Sequence, residues 1–504
     1  MTQLSPDKTR RLLVLAAVCL AALCMPLSFT GPAIAIPAIA VDLPGSPLAL
    51  AWINNAFMLS FGGCLMAAGA LADRHGRKRL FLLGMALFTL AALALSMAPT
   101  LAALGLLRAA QGLGCALALS SGLAALAQEF DGAARARAFS LIGTAFGGGL
   151  AFGPIVAGSL VMASGWRSLF VATALAGLLA LLLGVRSLRE SRDPQAATLD
   201  RAGALSFTAA LSLLTYGLLQ APASGWNSLA SQGLLGGAVL LLAVFVLTEK
   251  RHVRPMLDLS LFRLPAFAGV QLLAAAPAFS FVVLLVLLPA RLIGIEGYSP
   301  QAAGAMMLAL SAPMLVLPLL AGLAAQRVAA AHICSAGLLL AAGGLLWLAH
   351  CPPGTPAAAI LGPLLLIGAG ISLPWGLMDG LAVSVVPVER AGMAAGIFNT
   401  TRVAGEGIAL AIVAALLATF TLAALRTVPG VSAHDAALAA PLLAIGQLRE
   451  AAQLLPQAGL HELAAAYGLA FHHLLQVLAA ISATTAMLML VFLRQPAGAP
   501  AAAR

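Results

Sequence analysis

The chain has 504 residues, 62% of them hydrophobic and only 9% charged, a balance that excludes a water-soluble domain of this size. Its formal charge of +10 finds no basic helix, RNA-binding motif or zinc-ligand spacing to serve, so it marks membrane topology and excludes a nucleic acid partner. The six cysteines (Cys19, Cys24, Cys64, Cys115, Cys334, Cys351) stand mostly inside apolar runs, which argues against a disulfide framework or a redox site and for small buried hydrophobes.

About 20 apolar residues cross the hydrocarbon as a helix, and on that measure the spans fall near 12–37, 50–72, 80–98, 101–126, 138–163, 167–186, 202–220, 231–249, 266–290, 300–325, 331–349, 358–385, 392–422 and 468–493. The fold class predicted is an all-α membrane protein of fourteen spans. The first run follows Lys8, Arg10 and Arg11 as a signal peptide would, and it is expected to be retained as the first helix. With both termini cytoplasmic, 21 of the 27 Lys and Arg residues fall on the inside, only Arg167, Arg291, Arg426 and Arg449 outside, and Arg108 and Arg402 within spans. A miscounted span would scramble that asymmetry. A multi-pass protein of the bacterial inner membrane is expected, with the lipid bilayer around it.

A faint repeat divides the chain. Gly322 to Arg327 (GLAAQR) echoes Gly69 to Arg74 (GALADR) at an offset of 253, and Ser299-Pro300 echoes Ser46-Pro47 at the same offset. Two homologous halves related about a membrane-normal axis follow. The expected domains are a six-helix bundle at 1–190, an inserted two-helix segment at 191–264, and a second six-helix bundle at 265–504 that includes an outer loop at about 423–467. An Ala/Leu/Gln-rich stretch at 436–455 of that loop reads either as a packed interfacial helix or as a seat for a partner such as a periplasmic adaptor.

Between spans 2 and 3 stands a charged island, Gly69 to Leu80 (GALADRHGRKRL). Gly69, Leu71, Ala72, Asp73, Arg74, Gly76, Arg77 and Lys78 match the signature G-x-L-a-D-R-x-G-R-[KR], so the chain resembles the major facilitator superfamily, and within it the 14-helix drug:proton antiporters of multidrug efflux type. One reading makes Asp73 a gating latch that faces a helix N-terminus or an Arg across the inter-domain seam; the other makes the island a positive topology anchor. The anchor explains the basic residues but not Asp73 and the paired glycines. The echo carries Gln326 in place of Asp73, so the latch is one-sided.

Further motifs carry the resemblance. Arg108, Gln111, Gly112 and Gly114 in span 4 are similar to the family's R-x-x-x-G-x-G pattern, which implies a role in proton transfer or in sensing substrate charge. Gly149, Gly153, Pro154 and Gly158 in span 5 resemble the signature G-x-x-x-G-P-x-x-G-G associated with exporters, with Ala157 replacing one glycine; the alternative is an ordinary small-residue packing face. Gly165-Trp166-Arg167 and the segment Pro255 to Arg263 look like the same 14-helix branch. One departure matters: Ser28 stands where the branch commonly has a helix-1 carboxylate, and Asp42 is the nearest alternative.

The second half supplies the ionisable candidates for proton coupling. Asn399, Arg402 and Glu406 fall within about 60° of one another on span 13, and Asp379 sits inside span 12. A carboxylate at membrane depth is a functional hypothesis because its charged form is costly there; the competing reading is a static Arg402–Glu406 pair. Candidate substrate-binding residues are Asn55, Phe57, Phe279, Trp375, Met378 and Asn399, chosen as aromatic or polar groups within apolar spans. No G-x-S-x-G, Walker loop or H-E-x-x-H occurs, so neither an enzyme nor an ATP-driven pump is expected, and no cofactor or metal. What the resemblance implies is a major facilitator fold that exports drugs or other amphipathic compounds in exchange for protons by alternating access. The rivals are a dedicated exporter of one metabolite, such as a siderophore or antibiotic, and a non-transporting membrane sensor.

Overall fold

The computed structural model describes residues 6–130, 132–192, 200–251, 257, 259–386 and 391–493. Pro255, Met256 and Asp258 of the segment after the eighth span, and the cations Arg254, Arg390, Arg494 and Arg504 of the charge census, lie outside them. The described residues form α1 (Pro6–Asp42), α2 (Pro47–His75), α3 (Arg77–Ser96), α4 (Leu101–Glu129), α5 (Gly132–Ser164), α6 (Arg167–Ser187), α7 (Arg201–Ser224) and α8 (Leu229–Arg251). There follow α9 (Pro265–Ile295), α10 (Pro300–Ala324), α11 (Ala330–Ala349), α12 (Ala357–Ser384), α13 (Ala391–Leu425), α14 (Ala433–Ala444), α15 (Leu448–Leu454) and α16 (Leu460–Phe492). All but α14 and α15 are long and apolar enough to cross a membrane, which makes fourteen spans among the described residues and puts the start of α1 and the end of α16 on one face. We call it the terminal face, and its opposite the far face.

Prolines explain the irregular spans. Pro277 and Pro289 of α9 lack the N–H that would bond one turn back, and each is followed by a turn widened to π-helical geometry, Ala278–Val282 and Ala290–Ile295. In α10, Pro313 sits in a tightened 3₁₀ turn, Ala312–Leu315. The repeat has a structural counterpart at the helix starts: the hydroxyls of Ser46 and Ser299 accept from the N–H groups of Ala49 and Ala302, both at 3.2 Å, with proline at the first helical position in each case.

α1 to α6 pack together, as do α9 to α13 with α16, while α7 packs against both α2 and α13. Glycines set the seam between the halves. A methyl added to Gly158 would come within 2.3 Å of the Pro300 carbonyl oxygen, and one on Gly304 within 2.4 Å of that of Pro154, so α5 and α10 touch backbone to backbone. Gly149 and Gly153 face α1 instead, where a methyl would meet Pro26 at 2.3 Å and the Thr30 hydroxyl at 2.4 Å. The glycine string of α5 thus serves two contacts, one within its half and one across the seam. These seam contacts lie in the far half of the molecule; beyond them the last turns of α10, Leu317–Ala324, pack on α12.

The loop stretch at 436–455 is two helices rather than one. Gly446, at φ +86, breaks it, and a methyl there would lie 2.5 Å from the Ala290 carbonyl oxygen. The inward side of α14, including Ala436, Ala440 and Leu443, is buried, and α14 packs on α13, α7 and α2.

The far face also holds a buried ion pair. Arg291, on the second widened turn of α9, donates from Nε to Glu296 Oε1 at 2.7 Å and from Nη2 to the Cys351 carbonyl at 2.6 Å, and both charged side chains are only 2% exposed. Burial pushes the Glu296 carboxyl above the usual carboxylate range against the opposing pull of Arg291. Removing one partner strands the other charge. Glu296→Ala is therefore expected to destabilise the fold by about 3–5 kcal/mol, seen as a lower unfolding temperature in detergent, with the double replacement by Leu recovering most of the loss.

Candidate functional site

The two halves meet at mid-membrane around one carboxylate. Glu406 of α13 lines a small cavity of about 20 Å³ with Phe29 of α1, Phe57 and Phe61 of α2, Phe146 of α5, Val282 of α9 and Trp375 of α12. Trp375 stacks on Phe146 at 6.2 Å, so the aromatic box joins residues of both halves. That volume holds about one water and no organic compound; the box is closed in this conformation.

Glu406 is 8% exposed and has no hydrogen bond or ion pair among the described residues. Arg402, one turn away, instead reaches Asp379 Oδ1 at 3.4 Å and Asn399 Oδ1 at 2.7 Å, with its guanidinium 5.9 Å from the Trp375 ring and 5.7 Å from that of Phe398. Spacing alone allowed a static Arg402–Glu406 pair; the geometry replaces it, because α12 delivers a rival carboxylate to the same guanidinium. Asp379 itself is 62% exposed towards the terminal face.

Arg108 of α4 is fully buried and bound to neutral acceptors: the Ile53 carbonyl at 2.8 Å, the Ser28 carbonyl at 2.7 Å and Gln111 Oε1 at 2.5 Å, with the Phe57 ring at 4.3 Å from its guanidinium. It ties α1, α2 and α4 together without a carboxylate. Gly112 and Gly114 let α4 come close, for a methyl on them would strike the Phe57 carbonyl oxygen at 2.3 Å and the Phe88 nitrogen at 2.7 Å. Ser28, at the place of the branch's helix-1 acid, offers Arg108 its carbonyl only, and its hydroxyl has no partner among the described residues.

The other candidates are dispersed. Asp42 is on the far face, where Arg167 and the Trp166 indole N–H (3.1 Å) donate to it, far from the aromatic box. Asn55 lines a second cavity, about 480 Å³, between α2, α7, α9, α13 and the covering α14. Phe279 lines a third, beside α8, and Met378 is wholly buried.

On the terminal face Asp73 accepts from Arg77 Nη2 at 2.7 Å and Nε at 3.0 Å, a contact inside its own half. The island's other anchor is a residue that sequence reasoning missed. Glu190, beyond α6, accepts from the backbone N–H groups of Lys78 and Arg79 at 3.2 and 3.3 Å and so caps α3, while Lys78 Nζ donates to the Val185 carbonyl at 2.9 Å. Gly76, at φ +112, is where a methyl would meet Glu190 Oε1 at 2.4 Å. Gly69 has room for one, and Arg74 is exposed. Glu190 is 112 residues from Lys78, and no local pattern announces the cap.

Fourteen apolar spans define a multi-pass membrane protein, and its family and relatives are transporters rather than enzymes. Residues 18–410 match the profile of the Major Facilitator Superfamily, and the chain belongs to that family. It is 34% identical over 378 residues to the multidrug resistance protein Stp of Mycobacterium tuberculosis, which covers 75% of this chain and 70% of that protein. It is 32% identical over 406 residues to the tetracenomycin C resistance and export protein of Streptomyces glaucescens, covering 80% and 75%. It is also 29% identical over 418 residues to the multidrug efflux pump LfrA of Mycolicibacterium smegmatis, covering 82% of each. Among solved structures, a bacterial homolog of the human lysosomal transporter Spinster, inward-facing and unoccupied, superposes with a TM-score of 0.67 at 16% identity, covering 96% of this chain and 97% of that one. That similarity speaks for the fold alone.

Proposed function

We propose that the protein exports drugs or other amphipathic organic compounds in exchange for protons, working by alternating access in a bacterial inner membrane with its termini in the cytoplasm. The observation that carries the reading is Glu406, a carboxylate without an ion pair in an aromatic box shared by both halves. Its charged form is costly in that setting, so a proton or a cationic group of the substrate serves as its counterpart, and the two compete. Arg402, held by Asp379 and Asn399, is the nearest cation and keeps the site polar without neutralising Glu406. Export is supported by what the relatives are named for and by the glycine and proline pattern of α5.

The proposed cycle starts from this conformation, closed on the far side by the α5–α10 seam. Substrate entering from the terminal face displaces the proton of Glu406. The far side then opens, a proton from outside returns, and substrate leaves. Each ligand biases the two states only through its different affinity for them. The units that move are taken as 1–190 and 265–504, with 191–264 inserted between them, and small-molecule substrate and protons are the partners. Asp73 is assigned the gating role on the terminal face, where its carboxylate is 40% exposed and available to the other half when that face closes. The name of the tetracenomycin C export protein favours a second reading, a dedicated exporter of one compound, which a susceptibility screen of a deletion strain separates from a broad pump.

In proteoliposomes, Glu406→Gln is expected to abolish export driven by a pH gradient while leaving correctly inserted, folded protein; undiminished proton-driven transport removes Glu406 from the coupling role. Asp73→Asn is expected to slow transport more than Arg79→Gln does, and equal effects would reduce the island to a topology anchor.

A further inference from the structure

α8 packs on α7 and stands away from α9 and α13, leaving a slot of about 440 Å³ between them. Its walls are aromatic and aliphatic, with Phe207, Phe245, Phe262 and Phe279 contributed by α7, α8, the turn before α9, and α9. On α8, Val239 and Leu242 line the slot and are 68% and 47% exposed, so its mouth opens sideways where acyl chains would lie. On α13 the lining runs from Ile397 to Ile408, about 16 Å by helix rise.

Two hydroxyl-bearing residues, Thr400 and Thr401, interrupt this lining, and of the two Thr400 is the buried one. The Thr400 hydroxyl, on a residue 5% exposed, has no hydrogen-bond partner among the described residues, whereas the buried hydroxyls of Ser372, Thr421 and Ser482 each bond the carbonyl one helical turn back. A buried hydroxyl left unpaired costs free energy. Thr400 is about 13 Å along α13 from its terminal-face end by helix rise, on the side of the molecule nearer that face. α9 and α13 separate the slot from the aromatic box. On α9 this partition is the widened turn Ala278–Val282, whose Phe279 lines the slot while Val282 lines the box around Glu406. Beside it Gly405 of α13 faces Ala275 with room for a methyl in ordinary contact, at 3.6 Å.

We propose that this slot is a lateral binding site for neutral, multi-ring compounds bearing one hydrogen-bonding group, taken from the leaflet at the terminal face. The inserted pair α7–α8 builds its outer wall, Thr400 bonds the compound's polar group, and the π-helical turn of α9 is the gate to the aromatic box. The direction of travel rests on the export reading; the binding does not.

The test is equilibrium binding of N-phenyl-1-naphthylamine, a neutral aromatic amine with one N–H, to the full-length protein in lipid nanodiscs, followed by energy transfer from tryptophan. Saturable binding is expected for the wild type. Thr400→Val should weaken it about fivefold, the worth of one hydrogen bond, and Ala238→Phe, which fills the slot, should abolish it. Saturable binding unchanged in both variants overturns the proposal. So does the absence of saturable binding in the wild type, and in that case a phospholipid retained by the wild type and lost from Ala238→Phe in native mass spectra would identify the slot as a lipid seat. None of these outcomes needs a proton gradient, so a failure of proton-coupled export would leave this measurement interpretable.

Discussion

A charge inside hydrocarbon must be matched by something, and the ways this chain meets that constraint organise the whole molecule. Arg108 is met by two backbone carbonyls and an amide, at the cost of locking α1, α2 and α4 into one unit. Arg291 is met by Glu296 and a carbonyl, which ties the far end of α9 to the loop after α11. Arg402 is met by Asp379 and Asn399, which ties α12 to α13. Each solution welds elements of one half together. Among the described residues Glu406 stands at the junction of the halves without such a match, so the unmet electrostatic demand coincides with the place where the proposed cycle requires movement.

The glycines complement these charges. Where arginines fasten helices within a half, Gly158 and Gly304 bring α5 and α10 together across the seam by backbone contact with no polar tie. Contacts of that kind depend on close fit rather than on bonds, and they can be parted and remade without stranding a charge. The prolines of α9 act in the same sense: each replaces a regular turn by a widened one, next to the aromatic box in one case and at the far face in the other.

Much of this was legible in the chain. Apolar length and the placement of Lys and Arg give the fourteen spans, and the Ser46 and Ser299 caps show that even a two-residue match in a repeat carried geometry. The face shared by Asn399, Arg402 and Glu406 follows from helical period. What did not follow is who pairs with whom: Asp379 captures Arg402 from another helix, and Glu190 reaches the signature loop across 112 residues. Neither has a local signal. The split of the outer helix at Gly446 was missed because Ala and Leu on both sides carry one continuous pattern, and the break comes from a close approach to Ala290. The sequence places Arg291 only as an outside cation and says nothing of Glu296, since five residues apart the two face each other on a widened turn and not on a regular helix.

The central claim is that substrate and proton compete for Glu406. Ethidium added to the purified protein in weakly buffered detergent measures this directly, because displaced protons are counted by a pH indicator. The account predicts release of about one proton per bound cation, retained in Asp379→Asn and lost in Glu406→Gln. Release that survives Glu406→Gln would contradict it.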